Sequence, residues 1–271
     1  MNTQTTFAAL TLGALPALAL GQQDPVTISD GNASATFSQD GQIGWEIEDT
    51  NQLFEQQFFF RRDDDNETPF ERPVDATNLD FLGNFTTDTN PFLDNRNDTF
   101  GSLYADGLGL EIETRFSIRG GEPGSGRGDL AEQIILRNTG SQTIGLSFFQ
   151  FVNFDLGGVA GNDRGELISG NTVQQSDDQF SVSETIVTPG PNAFQISSND
   201  SLSATLNDES VDNLSMQEVF EGDVAWSFQW EITLGAGDSF IITKDKSIVP
   251  APGAIAMLAI AGGLMAPRRR R

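Results

Sequence analysis

The stretch Val224-Ala225-Trp226-Ser227-Phe228-Gln229-Trp230-Glu231-Ile232-Thr233-Leu234 decides the fold. Its large apolar side chains fall on every second residue, and the positions between them are small or polar. A period of two belongs to a strand with one buried face, not to a helix. Gly235-Ala236-Gly237-Asp238 then reads as a turn, and Ser239-Phe240-Ile241-Ile242-Thr243 resumes the apolar run, which predicts a β-hairpin.

The same alternation recurs upstream. Leu108, Leu110, Ile112, Phe116 and Ile118 share one face, with Thr114 as its polar interruption, and Glu111, Glu113, Arg115, Ser117 and Arg119 share the other. The run from Ser147 to Phe154 is apolar on both faces, which predicts a central strand or one whose outward aromatics are covered. Shorter strand candidates lie at 34–37, 43–48, 54–61, 130–138, 172–174, 180–187, 194–197 and 202–206. No stretch of the body reads as a long helix. The expected fold is therefore all-β, a β-sandwich of roughly ten to twelve strands, with a closed barrel as the alternative. The segment at about 62–103 breaks the pattern with Asp, Asn, Thr and Pro. It reads as a long ordered insertion anchored by Phe81, Leu82, Phe85, Phe92, Leu93 and Phe100.

Composition removes whole classes of chemistry. The 271 residues carry 15 basic and 39 acidic side chains, a formal charge of −24. Backbone binding to nucleic acid needs clustered positive charge, so no nucleic-acid partner is expected. No cysteine is present, so there is no disulfide framework, thiolate nucleophile or thiolate-bound metal. No histidine is present, so there is no Ser-His-Asp triad and no imidazole acid, base or zinc ligand.

Oxygen chemistry remains. Asp63 and Asp65 in the densest carboxylate run, and Asp94 and Asp98 in the richest stretch of oxygen donors, are candidate ligands for a structural calcium ion. No other cofactor is expected, and no catalytic residue is assigned. Glu46 with Glu48, and Glu111 with Glu113, are pairs on one strand face about 7 Å apart, a spacing that a glycoside hydrolase could use. Trp45, Trp226, Trp230 and Tyr104 could stack on sugar rings if exposed, although Trp226 and Trp230 belong to the clearest core stripe.

The ends carry an address. Phe7 to Leu20 is an apolar run leading to Ala17-Leu18-Ala19, a small-x-small pattern suited to signal peptidase, so residues 1–21 read as a signal peptide with a signal helix. Val249-Pro250-Ala251-Pro252 precedes an apolar segment, Gly253 to Ala266, and then Arg268, Arg269, Arg270 and Arg271. As a helix that segment would be roughly 20 Å long, short of the bilayer's roughly 30 Å hydrocarbon layer, with its arginines on the cytoplasmic side.

This tail resembles the PEP-CTERM sorting signal of exported bacterial proteins, with Ala251 where that family expects glutamate. The resemblance covers about a tenth of the chain. It implies export machinery and signal peptidase as partners, an exosortase-like processing enzyme, and extracellular polysaccharide nearby. It also implies a place in the cell envelope, on the outer surface or outside the cell, with the C-terminal helix as a transient or stable membrane anchor. The expected division is a signal peptide at 1–21, a secreted sandwich at 22–246 and a sorting tail at 247–271. The expected role is that of a non-catalytic envelope or matrix protein. A carbohydrate-binding sandwich is the alternative, and a paired-carboxylate glycoside hydrolase a further one.

Overall fold

The computed structural model describes residues 24–90 and 94–251. In chain order the strands of its first half are β1 (Val26–Asp30), β2 (Ala33–Ser38), β3 (Gly41–Ile47), β4 (Thr50–Asn51), β5 (Leu53–Arg62), β6 (Arg72–Pro73), β7 (Asp80–Thr87), β8 (Thr99–Ala105) and β9 (Leu110–Gly120). The second half supplies β10 (Gly128–Asn138), β11 (Ile144–Phe154), β12 (Asp163–Ser169), β13 (Thr172–Ser176), β14 (Phe180–Thr188), β15 (Ala193–Ser198), helix α1 (Asn199–Leu206), β16 (Val219–Gly222), β17 (Val224–Leu234) and β18 (Ser239–Pro250).

They form two nine-stranded sheets, so the all-β two-sheet sandwich stands with more strands than alternation alone separates. The first runs β1-β2-β3-β5-β11-β17-β15, with β4 on β3 and β6 on β5. The second runs β16-β12-β13-β14-β18-β10-β9-β8-β7. β17 and β18 are consecutive but lie in different sheets, so the turn at Gly235-Ala236-Gly237-Asp238 crosses the sandwich and does not close a hairpin.

The stripe of β17 faces the other sheet. Trp226 stacks on Phe154 with ring centroids 5.4 Å apart, and Trp230 meets Phe148 at 6.3 Å. Thr114, the polar break in β9, shares a 2.7 Å hydrogen bond with Ser102 of β8, which lets a hydroxyl sit inside the core. β11 is apolar on both faces because both are covered. Phe148, Val152 and Phe154 enter the main core, while Phe149 and Phe151 lie with Phe59 beneath Leu202, Leu206 and Leu214.

That cover comes from α1, which occupies the stretch where alternation suggests a strand at 202–206. The Ser198 hydroxyl accepts from the Ser201 N–H and caps the helix, and an apolar sheet face awaits Leu202 and Leu206. The stretch expected to be an insertion supplies β6, which pairs with β5 in the first sheet, and β7 and most of β8, which extend the second.

The C-terminal expectation is corrected as well. β18 continues through Val249 and Pro250, which pair with Ser181 and Phe180 of β14. The Ala251 N–H then donates to the Gln179 carbonyl at 2.7 Å, and Ala251 is buried. The first three residues of the expected sorting motif thus complete the sandwich. Pro252, the apolar segment 253–266, Arg268 to Arg271 and the signal segment 1–21 lie outside the described residues. Among the described residues no helix is long and apolar enough to cross a membrane, so none of them supplies the expected membrane anchor.

Candidate functional site

The outer face of the second sheet carries an open polar groove. Strand register aligns its side chains in rows across the sheet. One row is Thr99, Ser117, Ala131, Asp245 and Thr185, on β8, β9, β10, β18 and β14. Its side chains are short except at Asp245, so it forms a floor. A second row, Arg119, Asp129, Ser247 and Ser183, stands along one side, and a third, Arg115, Gln133 and Thr243, along the other. The result is two adjoining hollows of about 480 and 510 Å³ that share Ser117, Ala131 and Asp245. Small residues between longer ones make the depression, and the alternation that buries Ile118, Leu130 and Ile248 turns these polar side chains outward.

The groove offers guanidinium donors, carboxylate acceptors and hydroxyls, a combination suited to hydroxyl-rich ligands. Asp129 lies opposite Ser247 and Asp245 opposite Ala131, so the two exposed aspartates are diagonal neighbours on adjacent strands. Arg115 is steadied by Glu113, whose other oxygen accepts from Arg137 at 2.7 Å. Burial raises the Glu113 carboxyl, but the two guanidinium groups outweigh it and hold the carboxyl below the usual glutamate range. One aromatic ring borders the groove: Phe85 of β7 is exposed and lies over Gly101, the neighbour of Arg115. A side chain at Gly101 would strike that ring at 2.4 Å.

A rival hollow of about 470 Å³ lies among the turns at 107–111 and 139–142. Its one cation, Arg62, is held by Asp64 at 2.8 Å and by Asp106 and is buried, with 6% of its side chain exposed, whereas the paired Arg115 of the groove keeps 46% exposed. A further acidic cluster closes one end of the sandwich. Asp163 is buried, and burial, with Asp177, Asp155 and Asp223 nearby, pushes its carboxyl up to about 7 against a hydrogen bond from Gln175. The Oδ1 atoms of Asp155, Asp163 and Asp223 have no hydrogen-bond partner among the described residues.

The candidate calcium ligands are dispersed. Asp65 accepts from the Glu67 and Thr68 N–H groups and pairs with Arg72 at 3.0 Å, while Asp63 is exposed. Asp94 is exposed and accepts from the Arg96 N–H, and Asp98 is buried with its oxygens taken by Thr89 and Thr99. Among the described residues no three His, Cys, Asp or Glu side chains gather to hold a metal ion.

The carboxylate pairs fare similarly. Glu48 tethers Asn32 at 2.6 Å and the Gly124 N–H at 2.7 Å, Glu46 accepts from Ser34, and Glu113 is clamped by arginines. Trp45, Trp226, Trp230 and Tyr104 are all buried, so none stacks on a ligand. Sequence alone finds the half of the groove on β9, as the polar face Arg115, Ser117 and Arg119. It misses Asp129 and Asp245, because their neighbours across the sheet come from strands far apart in the chain.

No protein-family model and no curated protein matches the sequence. Among solved structures, the chain is similar to a bacterial glucoamylase complexed with acarbose, with a TM-score of 0.59 and 8% identity over 89% of this chain and 34% of that one. It thus spans about a third of the glucoamylase's length. A putative aldose 1-epimerase from Escherichia coli K12 gives a TM-score of 0.47 and 9% identity over 84% of this chain and 99% of that one. The body, which its sequence leaves without a family, shares its sandwich fold with the glucoamylase. This fold corrects the placement among sorted surface proteins that rested on the tail. The expectation of a non-catalytic envelope or matrix protein rested on the tail as well, and a fold shared with part of a glucoamylase leaves it without support.

Proposed function

We propose that this chain is a carbohydrate-active β-sandwich that takes a saccharide along the groove of its second sheet. The observation that carries the reading is the groove itself: a floor of short side chains running across five strands, walled by Arg115, Gln133, Arg119 and Asp129. At about 4.8 Å between strands, it has room for a short oligosaccharide lying across the sheet. Carboxylates and guanidinium groups bind vicinal hydroxyls in pairs, and Phe85 supplies an apolar surface at one end. The fold shared with an acarbose-bound glucoamylase supports this choice of ligand class.

A hydrolytic reading has one specific support. Diagonal neighbours on adjacent strands stand ~7–8 Å apart, comparable with the ~6.5–9.5 Å between the acid and base of an inverting glycoside hydrolase. Asp129 and Asp245 are so placed on the groove. Calorimetric titration with acarbose and a panel of neutral oligosaccharides tests the binding reading. Saturable binding that Asp129→Asn or Arg115→Ala weakens is expected, and no response to any saccharide sinks the proposal. Reducing-sugar release that both Asp129→Asn and Asp245→Asn abolish would establish hydrolysis.

A further inference from the structure

A charged core lies between the sheets, apart from the groove. Lys244 and Lys246 of β18, Glu132 of β10 and Glu184 of β14 all point inward, with wholly buried side chains. Gln56 of β5 and Gln150 of β11 meet them from the opposite sheet. Buried charges persist only when paired and hydrogen-bonded.

Glu184 is satisfied in an ordinary way. Its Oε1 accepts from Gln150 at 2.7 Å and from Lys244 at 3.1 Å, and its Oε2 accepts from the Trp226 indole at 2.8 Å. Lys246 is placed differently. Its Nζ contacts both Glu132 Oε1 and Gln56 Oε1, while Gln56 Nε2 donates to Glu132 Oε2 at 3.0 Å. One carboxylate therefore touches both the amine and the amide nitrogen, and the amine lies against the amide oxygen, one covalent bond from the carbonyl carbon.

We propose that Lys246 and Gln56 join in an intramolecular isopeptide bond that ties the two sheets together, with Glu132 moving the proton. The neutral Lys246 amine attacks Gln56 Cδ, and Glu132 Oε1 removes a proton from the nitrogen as the new C–N bond forms. The protonated Glu132 carboxyl reorients and gives that proton to the departing Gln56 nitrogen. The old C–N bond breaks with its electron pair, and ammonia leaves. An amine and a primary amide become a secondary amide and ammonia, so no oxidant, reductant or co-reactant is needed.

The surroundings favour the step. Burial pulls the Lys246 amine below the usual lysine range and so favours its nucleophilic form. Burial pushes the Glu132 carboxyl up, but Lys244 and Lys246 outweigh it and hold the carboxyl below the glutamate range, ready to accept a proton. Enclosure by the apolar core keeps water from competing for the amide carbon. The fold holds both partners in contact, which replaces a bimolecular encounter. They are 190 residues apart in the chain, and with no cysteine no disulfide can make this link.

Mass spectrometry of the full chain tests the proposal. The expected mass is lighter than that of the sequence by one ammonia, trypsin fails to cut after Lys246, and the Gln56 peptide is recovered joined to the Lys246 peptide. Gln56→Leu restores the mass balance of an unlinked chain. Glu132→Gln, if folded by circular dichroism, stays unlinked, and Glu132→Asp recovers part of the link. A wild-type protein that trypsin cuts after Lys246 and that yields a free Gln56 peptide overturns the bond, whether or not the variants fold. A link between Lys244 and Gln150 overturns the assignment, and full linkage in Glu132→Gln overturns the role of Glu132.

Discussion

Trp226 and Glu184 join the two sheets through one hydrogen bond, in which the indole Nε1 of β17 donates to the carboxylate Oε2 of β14 at 2.8 Å inside the core. The acceptor is ionic and has no water to replace a lost donor. Trp230, four residues along the same stripe, donates instead to the neutral Pro189 carbonyl at 3.1 Å. Both substitutions to phenylalanine remove ring volume, but only one strips a donor from a buried charge. Trp226→Phe should cost ~3–4 kcal/mol and Trp230→Phe ~1–2 kcal/mol. Urea unfolding followed by circular dichroism measures both, and equal losses would mean that the carboxylate gains nothing from the indole.

Asp163 makes stability depend on pH in the direction opposite to most aspartates. Its carboxyl is raised from 3.8 to about 7 in the folded chain, chiefly by burial, and Asp177, Asp155 and Asp223 face it. The folded state therefore holds a proton that the unfolded chain has already released in this interval. The contribution is fully present below the ordinary aspartate value and is lost as the pH rises to about 7, with a slope of up to ~1.4 kcal/mol per pH unit. Asp163→Asn keeps an oxygen for Gln175 and carries no charge, so it should flatten this slope and be the more stable form at pH 7. Unfolding midpoints measured from pH 4 to pH 8 test this, and an unchanged slope in the variant excludes Asp163 as its source.

How far the sequence carries the fold depends on whether the relevant contacts are local. Alternation is local, so the inward stripes of β9 and β17 and the two-faced β11 are legible, but the second face of β17, where Ala225, Ser227 and Gln229 are also buried, is not. Sheet membership is not, because β17 and β18 look like a hairpin yet lie in opposite layers. The short run 202–206 is ambiguous by itself, and the apolar surface of Phe149 and Phe151 makes it a helix. Nothing local in the sequence marks Lys244 and Lys246 as buried, since their partners Glu132, Glu184 and Gln56 are at least sixty residues away in the chain. The groove is half legible for the same reason. Arg115 and Arg119 announce a polar face, but Asp129 and Asp245 become neighbours only through the pairing of β10 with β18.

The Ser102–Thr114 pair explains how a core stripe tolerates a hydroxyl, and it yields a double-mutant test. Thr114→Val leaves the Ser102 hydroxyl buried without its 2.7 Å partner, at a cost of ~1–2 kcal/mol. Adding Ser102→Ala removes the orphaned group and should recover most of that loss. A double variant as unstable as the sum of the two singles would show that the hydroxyls act independently.

Ala131 offers a way to close the groove without touching the core. It faces outward on β10 between Ser117 and Asp245 and lies in the floor shared by both hollows. An exposed site on a sheet face accepts a large ring with little effect on stability, within ~0.5 kcal/mol. Ala131→Trp should therefore leave the unfolding midpoint unchanged while filling the space where a saccharide would lie. Affinity should fall at least ~10-fold, equivalent to ~1.4 kcal/mol. Leu108→Trp, on the exposed turn beside the rival hollow, is the control and should leave binding intact. Loss of binding in the Leu108 variant, with retention in the Ala131 variant, would move the ligand to the turns and remove the groove from the account.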